Sequence, residues 1–302
     1  MTQPWLAPDA RAFDESPSAA PVRSDSELSA APEVPSPVPL RPMTVVDVLD
    51  GGIAVIKAAP RSVLVIAAAF VLPYELVAAW VQRDTLADRG LAGAITAATS
   101  TSDSNKTSVT IASVLLIAVS GIVLSLVTGA VAHLLSAWFA DRPASAADGM
   151  RASLRRAPAL VVAWIIVHVV EIPTLIAVGA GIFLMPMFLV TAPAIVIEGL
   201  GPWAGVRRAW RLGLTRYGAV LWSGIFIAVV SFGLSIALSG LGLAFSFFSW
   251  GWIVDVICRG ASSLVTVPFV AAATTLVYLD LRIRSEGLDL ELDIAEHFHR
   301  GA

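Results

Sequence analysis

The residues able to do chemistry are few and lie where they are least expected, inside long apolar tracts. Glu75 follows Pro73-Tyr74 within SVLVIAAAFVLPYELVAAWV, residues 62–81. His168 and Glu171 stand three apart in the run 159–197, on one face if that run is helical, with Pro173 loosening the backbone just beyond. Asp255 and Arg259 are four apart in the stretch 252–279, the spacing of a helical ion pair. An ionisable group in hydrocarbon costs about 2.5–3.5 kcal/mol on insertion scales, so each needs a reason to be there. Glu75 can reach toward the surface or face a cavity. His168 and Glu171 can hold the bundle together as a pair, or can form a proton relay or ligand site. Together Glu75, His168 and Glu171 make the candidate intramembrane polar site, and Asp255 with Arg259 reads as a structural pair. His133 reads as a packing or interfacial histidine.

Other chemistry is missing from the pattern. There is no HExxH, GxSxG, P-loop or CxxC signature. His168-x-x-Glu171 supplies too few ligands for zinc, which needs at least three, so neither a metal nor another cofactor is expected. The single cysteine, Cys258, sits in an apolar run and reads as a small buried hydrophobe. No catalytic residues are assigned, and the chain is not expected to be an enzyme.

The elements that must position these groups follow from composition. Of 302 residues 57% are hydrophobic and 14% charged, with a mean hydropathy of +0.79. Soluble domains carry about 25% charged residues, so much of this surface faces something other than water. A net charge of −3 with dispersed basic residues gives no reason to expect nucleic acid. Residues 1–42 hold nine of the 18 prolines and six acids against three arginines, without apolar periodicity. That segment predicts a disordered tail, and it lacks the basic-then-apolar order of a secretory signal.

A bilayer core about 30 Å thick needs about 20 apolar residues in a helix. Tracts 62–81, 108–139, 218–251 and 252–279 each meet that demand, and 159–197 is long enough for two crossings. Gly179-Ala180-Gly181 offers the turn between them, giving 159–178 and a short 182–198 that Pro186 and Pro193 should kink or break. The expected fold class is therefore all-α: a polytopic bundle of six transmembrane helices in three hairpins, each preceded by an interfacial amphipathic helix. Twelve Lys and Arg residues flank one side of these spans and three the other. That asymmetry predicts that both termini lie in the cytoplasm.

The basic connectors are patterned too. In 201–217, Trp203, Val206, Trp210, Leu214 and Tyr217 fall at helical spacing opposite Arg207, Arg208, Arg211 and Arg216. Residues 144–157 set Ala147, Met150 and Leu154 against Arg151, Arg155 and Arg156, and 43–59 set Val45, Val48, Leu49, Gly52 and Ile56 against Asp47, Asp50 and Lys57. In one register Gly51, Gly149 and Gly205 coincide, as do Ile56, Leu154 and Trp210, and Lys57, Arg155 and Arg211. Three units result, 43–140, 143–200 and 201–282, with a short cytoplasmic tail at 283–302. The seven arginines of the second and third connectors are expected at lipid headgroups.

The stretches PLRPMTVVDVLDGGIAVIKAAPRSVLVIAAAFVLP, TAPAIVIEGLGPWAGVRRAWRLGLTRYGAVLW and TTLVYLDLRIRSEGLDLEL carry a resemblance over residues 40–293. Together they resemble a bacterial family identified as the membrane domain of glycerophosphoryl diester phosphodiesterase. In fused members that part resembles an appendage to a separate catalytic barrel. Here only 20 residues follow the sixth expected span, so the resemblance implies a multi-pass membrane protein and not the phosphodiesterase activity. The function expected is a non-enzymatic scaffold or accessory protein. Anionic inner-leaflet lipids are its expected partners, and a membrane protein or a second copy could join them. The alternative is a transporter or exporter of a lipid or small molecule, working through Glu75, His168 and Glu171.

Overall fold

The computed structural model describes residues 42–87, 103–140, 142–178, 181–245 and 251–287; the tail expected at 1–42 lies outside them but for its last residue, and the one expected at 283–302 is described to 287, with 283–286 still helical. Nine helices run through the described residues: α1 Val45–Ala58, α2 Pro60–Ala87, α3 Asp103–Trp138, α4 Ala146–Val178, α5 Gly181–Phe188, α6 Thr191–Ile197, α7 Pro202–Thr215, α8 Tyr217–Ala244 and α9 Gly251–Glu286. The fold is all-helical among these residues, as the sequence predicts.

Five helices are long and apolar enough to cross a bilayer: the spans Pro60–Val81, Val114–Trp138, Ala146–Thr174, Tyr217–Gly240 and Ile253–Glu286. The sixth expected span, 182–198, is not one helix. It is the pair α5 and α6, each too short to cross alone. The break at Leu189-Val190 has a chemical cause. Pro193 has no N–H to give the Leu189 carbonyl, and its ring crowds that carbonyl. Pro158 meets the same difficulty against Leu154, yet α4 runs through it. The second amphipathic segment is thus continuous with the third span, whereas α1 and α7 are separate helices ending at Ala59 and Arg216.

Helix α9 is the hub. Its span is 78% buried against 17% for α8, so α9 lies inside the bundle and α8 on its rim. Phe269, Ala271, Ala272, Ala273, Leu276 and Tyr278 form its inward run, and the three alanines keep neighbouring backbones close. The outer helices expose large apolar side chains such as Leu76, Trp80, Ile117, Val169 and Phe232, the surface a hydrocarbon solvent requires.

The amphipathic segments share one mode of burial. The register that aligns Gly51, Gly149 and Gly205 finds all three buried, and four residues on it finds Val55, Ser153 and Ala209 each at 0% exposure. Lys57, Arg155 and Arg211 are all exposed. Reciprocal capping starts the first two segments: Thr44 with Asp47 for α1, and Ser145 with Asp148 for α4. At α7 Gly201 takes the cap position and Pro202 follows it.

The two ends of the membrane domain are clamped together. The Met43 N–H donates to Asp280 Oδ1 at 2.7 Å, and Arg284 donates to both Asp280 (2.7 Å) and the Met43 carbonyl (2.8 Å). Asp280 is only 8% exposed. Asp280→Ala therefore leaves the start of α1 without its anchor, and amide exchange across Val45–Ala58 should rise selectively. Uniform exchange behaviour in that variant would contradict the clamp.

Candidate functional site

The expected polar site divides in two. Glu75, on α2, accepts a hydrogen bond from Ser263 Oγ of α9 at 2.6 Å, and Tyr74 donates to the Leu116 carbonyl of α3 at 3.3 Å. Glu75 therefore has a partner within the bundle and belongs to the α2–α9 seam. His168 and Glu171 lie elsewhere, in the wall of a partly open cavity of about 260 Å³ lined by α3, α4, α5, α6 and α9.

His168 and Glu171 share a helical face but not a bond. His168 stacks on Trp164 with ring centroids 3.9 Å apart, and its Nδ1 lies 2.9 Å from the Trp164 carbonyl. A carbonyl only accepts, so Nδ1 carries a proton and donates to it. Glu171 is 8% exposed and has no hydrogen bond or ion pair among the described residues. The pair expected from sequence to hold the bundle is replaced by a histidine on a tryptophan and a carboxylate beside a cavity. Two threonines complete the setting. Thr191 of α6 and Thr274 of α9 are 8% and 3% exposed, line the same cavity, and leave their hydroxyl oxygens without a partner.

Asp255 and Arg259 pair on α9 as their spacing predicts, and each is about one-third exposed. Cys258 between them is only partly buried. His133 is partly buried near the end of α3. No group of three or more His, Cys, Asp or Glu side chains is placed to hold a metal ion among the described residues.

Of the seven arginines expected at headgroups, Arg151, Arg155, Arg156, Arg207, Arg211 and Arg216 are exposed. Arg208 is not. Its side chain is 17% exposed and turns into a charge cluster at the basic end of the bundle. Arg208 Nε donates to Glu198 at 2.8 and 3.0 Å, while its terminal nitrogens meet both Glu286 oxygens at 2.5 and 2.7 Å. The hydrogen bond to Glu286, joined by Glu198, raises the Arg208 guanidinium pKa further against the opposing effect of burial. The Tyr278 hydroxyl donates to Glu198 at 2.6 Å, and Arg282 donates to Glu286 at 2.9 Å. Two carboxylates thus face two guanidiniums, so the cluster is neutral and its members are desolvated together.

Gly199 sets this cluster up. At φ +66 it occupies a left-handed position that glycine adopts without strain, and Leu200 N–H returns to the Ile195 carbonyl at 3.1 Å. This closing turn ends α6 and leaves Glu198 pointing at α7 and α9. The cluster escaped the sequence reading because Glu198 and Glu286 lie at or beyond the ends of the expected spans. One signal was available: Tyr278, Arg282 and Glu286 recur every fourth residue on one face of α9.

These features define the class, a helical bundle whose five long apolar helices point to a multi-pass membrane protein. No family model matches the chain, and no curated protein or solved structure matches it. The family resemblance thus rests on the quoted residues alone.

Proposed function

We propose that this protein is a non-enzymatic, lipid-interacting scaffold of a bacterial cytoplasmic membrane, anchored on the anionic leaflet through its basic amphipathic segments. The observation that carries this reading is the shared presentation of Lys57, Arg155 and Arg211. Each is exposed six residues, about one and two-thirds turns, beyond a buried glycine, so three segments offer cations in the same way. Arg151, Arg156, Arg207 and Arg216 add to that surface, and Trp203, 67% exposed, supplies an aromatic suited to headgroup depth. Each basic residue near an anionic leaflet contributes about 1 kcal/mol of attraction.

The proposed topology has six crossings with both termini cytoplasmic. The Met43–Asp280–Arg284 clamp supports it, because chain ends held together require an even number of passes. Five long helices alone give an odd number. The pair α5–α6 supplies the return, since it brings the chain from the far end of α4 back to the charge cluster at Glu198.

The test uses the whole protein in nanodiscs of mixed neutral and anionic phospholipid carrying spin-labelled probes of each kind. The wild type should immobilise the anionic probe in preference to the neutral one. Reversing Arg155, Arg207 and Arg211 to glutamate should abolish that preference without unfolding the bundle, because none of the three belongs to the charge cluster. An unchanged preference would remove the basis for this function.

A further inference from the structure

We infer that the cavity beside Glu171 is a binding site for a primary alkylammonium group, its charged head on Glu171 and its chain along the apolar wall. This does not depend on the leaflet-anchoring reading, which concerns the surface and not the interior.

Glu171, Thr191 and Thr274 come from three different helices, α4, α6 and α9, yet all line one space of about 260 Å³. Each is more than nine-tenths buried. A buried hydroxyl or carboxylate without a partner forfeits its hydration and receives nothing in return, so native interiors seldom leave one unpaired. Two such hydroxyls, those of Thr191 and Thr274, face this cavity and are the buried side-chain atoms without a partner among the described residues, and the Glu171 carboxyl lines the same space. Unexplained polarity in one place points to an occupant.

Its chemistry follows from the kinds of groups present. Glu171 as a carboxylate accepts only, the hydroxyls of Thr191 and Thr274 can accept, and the Nδ1 proton of His168 is already given to the Trp164 carbonyl. Ser125, Thr128 and the Trp164 indole also line the space, but the Ser125 hydroxyl is given to the Gly121 carbonyl and the lining holds no lysine or arginine, so an anion would meet a carboxylate with no counter-charge. A primary ammonium carries three N–H donors and one positive charge, which suits one carboxylate and two hydroxyl oxygens. A metal ion is a poorer fit. Hard cations take six or more oxygens, and one carboxylate with two hydroxyls falls short. The remaining wall is apolar, with Leu160, Val167, Phe188 and Val270 among its residues, and it suits an alkyl chain.

Such a group has two natural sources, the headgroup of an aminophospholipid or a free amine. The experiment separates them. Purified wild-type protein in lipid-depleted detergent is titrated calorimetrically with n-hexylamine, n-hexanol and hexyltrimethylammonium at neutral pH. One site is expected for hexylamine, with the neutral and the quaternary analogues weaker by roughly tenfold, since charge and N–H donation each contribute. Glu171→Gln should weaken hexylamine by a similar factor, and Thr274→Val by a smaller one. Lipids that co-purify are then extracted and weighed. An aminophospholipid enriched on the wild type and lost on Glu171→Gln assigns the site to a headgroup. Amine binding without lipid enrichment assigns it to a free amine. Equal affinity for hexanol and hexylamine, no binding of either amine source, or unaltered binding in Glu171→Gln would overturn the inference. Should Glu171→Gln fail to fold, the ranking of the three ligands on wild type still decides.

Discussion

Glu198→Ala should loosen the basic end of the bundle and lower its stability by about 2–3 kcal/mol. Breaking a fully buried ion pair typically costs roughly 3–5 kcal/mol, and the loss here is smaller because Glu198 and Arg208 keep 19% and 17% exposure. Truncation removes the acceptor for Tyr278 and half the partners of Arg208, leaving the two guanidiniums facing one carboxylate. Three elements are affected together: the end of α6, the middle of α7 and the last turns of α9. Glu198→Gln retains an oxygen for Tyr278 but not the charge and should fall between wild type and alanine. Tyr278→Phe deletes one hydrogen bond and should cost about 1 kcal/mol. Unfolding in mild detergent, followed by helical signal against temperature or denaturant, gives the order. If alanine and wild type unfold alike, the cluster does not hold these helices.

How much of this was legible in the sequence depends on which force decided each feature. Helix type and the long tracts were legible because lipid admits no unsatisfied backbone, which makes apolar length alone informative. The amphipathic segments were legible through periodicity, and their register through glycine: Gly149 and Gly205 are small because another helix lies against each, and Gly52, next to the buried Gly51, lies against Phe269 of α9. Spacing also gave the Asp255–Arg259 pair, since both residues sit on one helix. The charge cluster was a different matter. Glu198 and Arg208 are ten residues apart, and Glu286 is 78 beyond Arg208, so their meeting is set by packing and not by local pattern. Arg208 illustrates the difference. Periodicity assigned it to the polar face with Arg207 and Arg211, and that face is real, but one edge of it turns toward two acids that no helical spacing could connect. The cavity was half legible. His168 and Glu171 stood out as ionisable groups in apolar sequence, whereas Thr191 and Thr274 are ordinary in a membrane helix until burial shows that nothing bonds them. Glu75 stood out equally, and its partner Ser263 was hidden 188 residues away.

Gly205→Ala should cost about 1–3 kcal/mol, and much of that cost should vanish when Ile195 is also cut to alanine. A Cβ at position 205 would fall 2.2 Å from Ile195 Cγ1 and 2.9 Å from its Cδ1, well inside van der Waals contact. The clash cannot be shed by rotating a free chain end, because Ile195 is fully buried and Cγ1 is close to its backbone. Either α6 and α7 move apart, which disturbs Glu198 three residues on, or the isoleucine adopts a strained rotamer. Ile195→Ala alone opens a cavity and should cost about 2–5 kcal/mol. In the double variant the new methyl group enters the space the isoleucine vacated, so the combined loss should be smaller than the sum. The sign of that coupling is the discriminating quantity. Helix propensity alone would make Gly205→Ala stabilising by up to about 1 kcal/mol and independent of position 195. A close approach of α6 to α7 predicts destabilisation together with favourable coupling. A four-variant cycle of detergent unfolding curves distinguishes the two. At Gly149 an added Cβ would meet the Ala130 carbonyl at 2.8 Å, while the nearest side-chain atoms, of Ile66 and Leu134, stay at 3.4 Å; a cycle of Gly149→Ala with Ile66→Ala should therefore show the cost without the rescue.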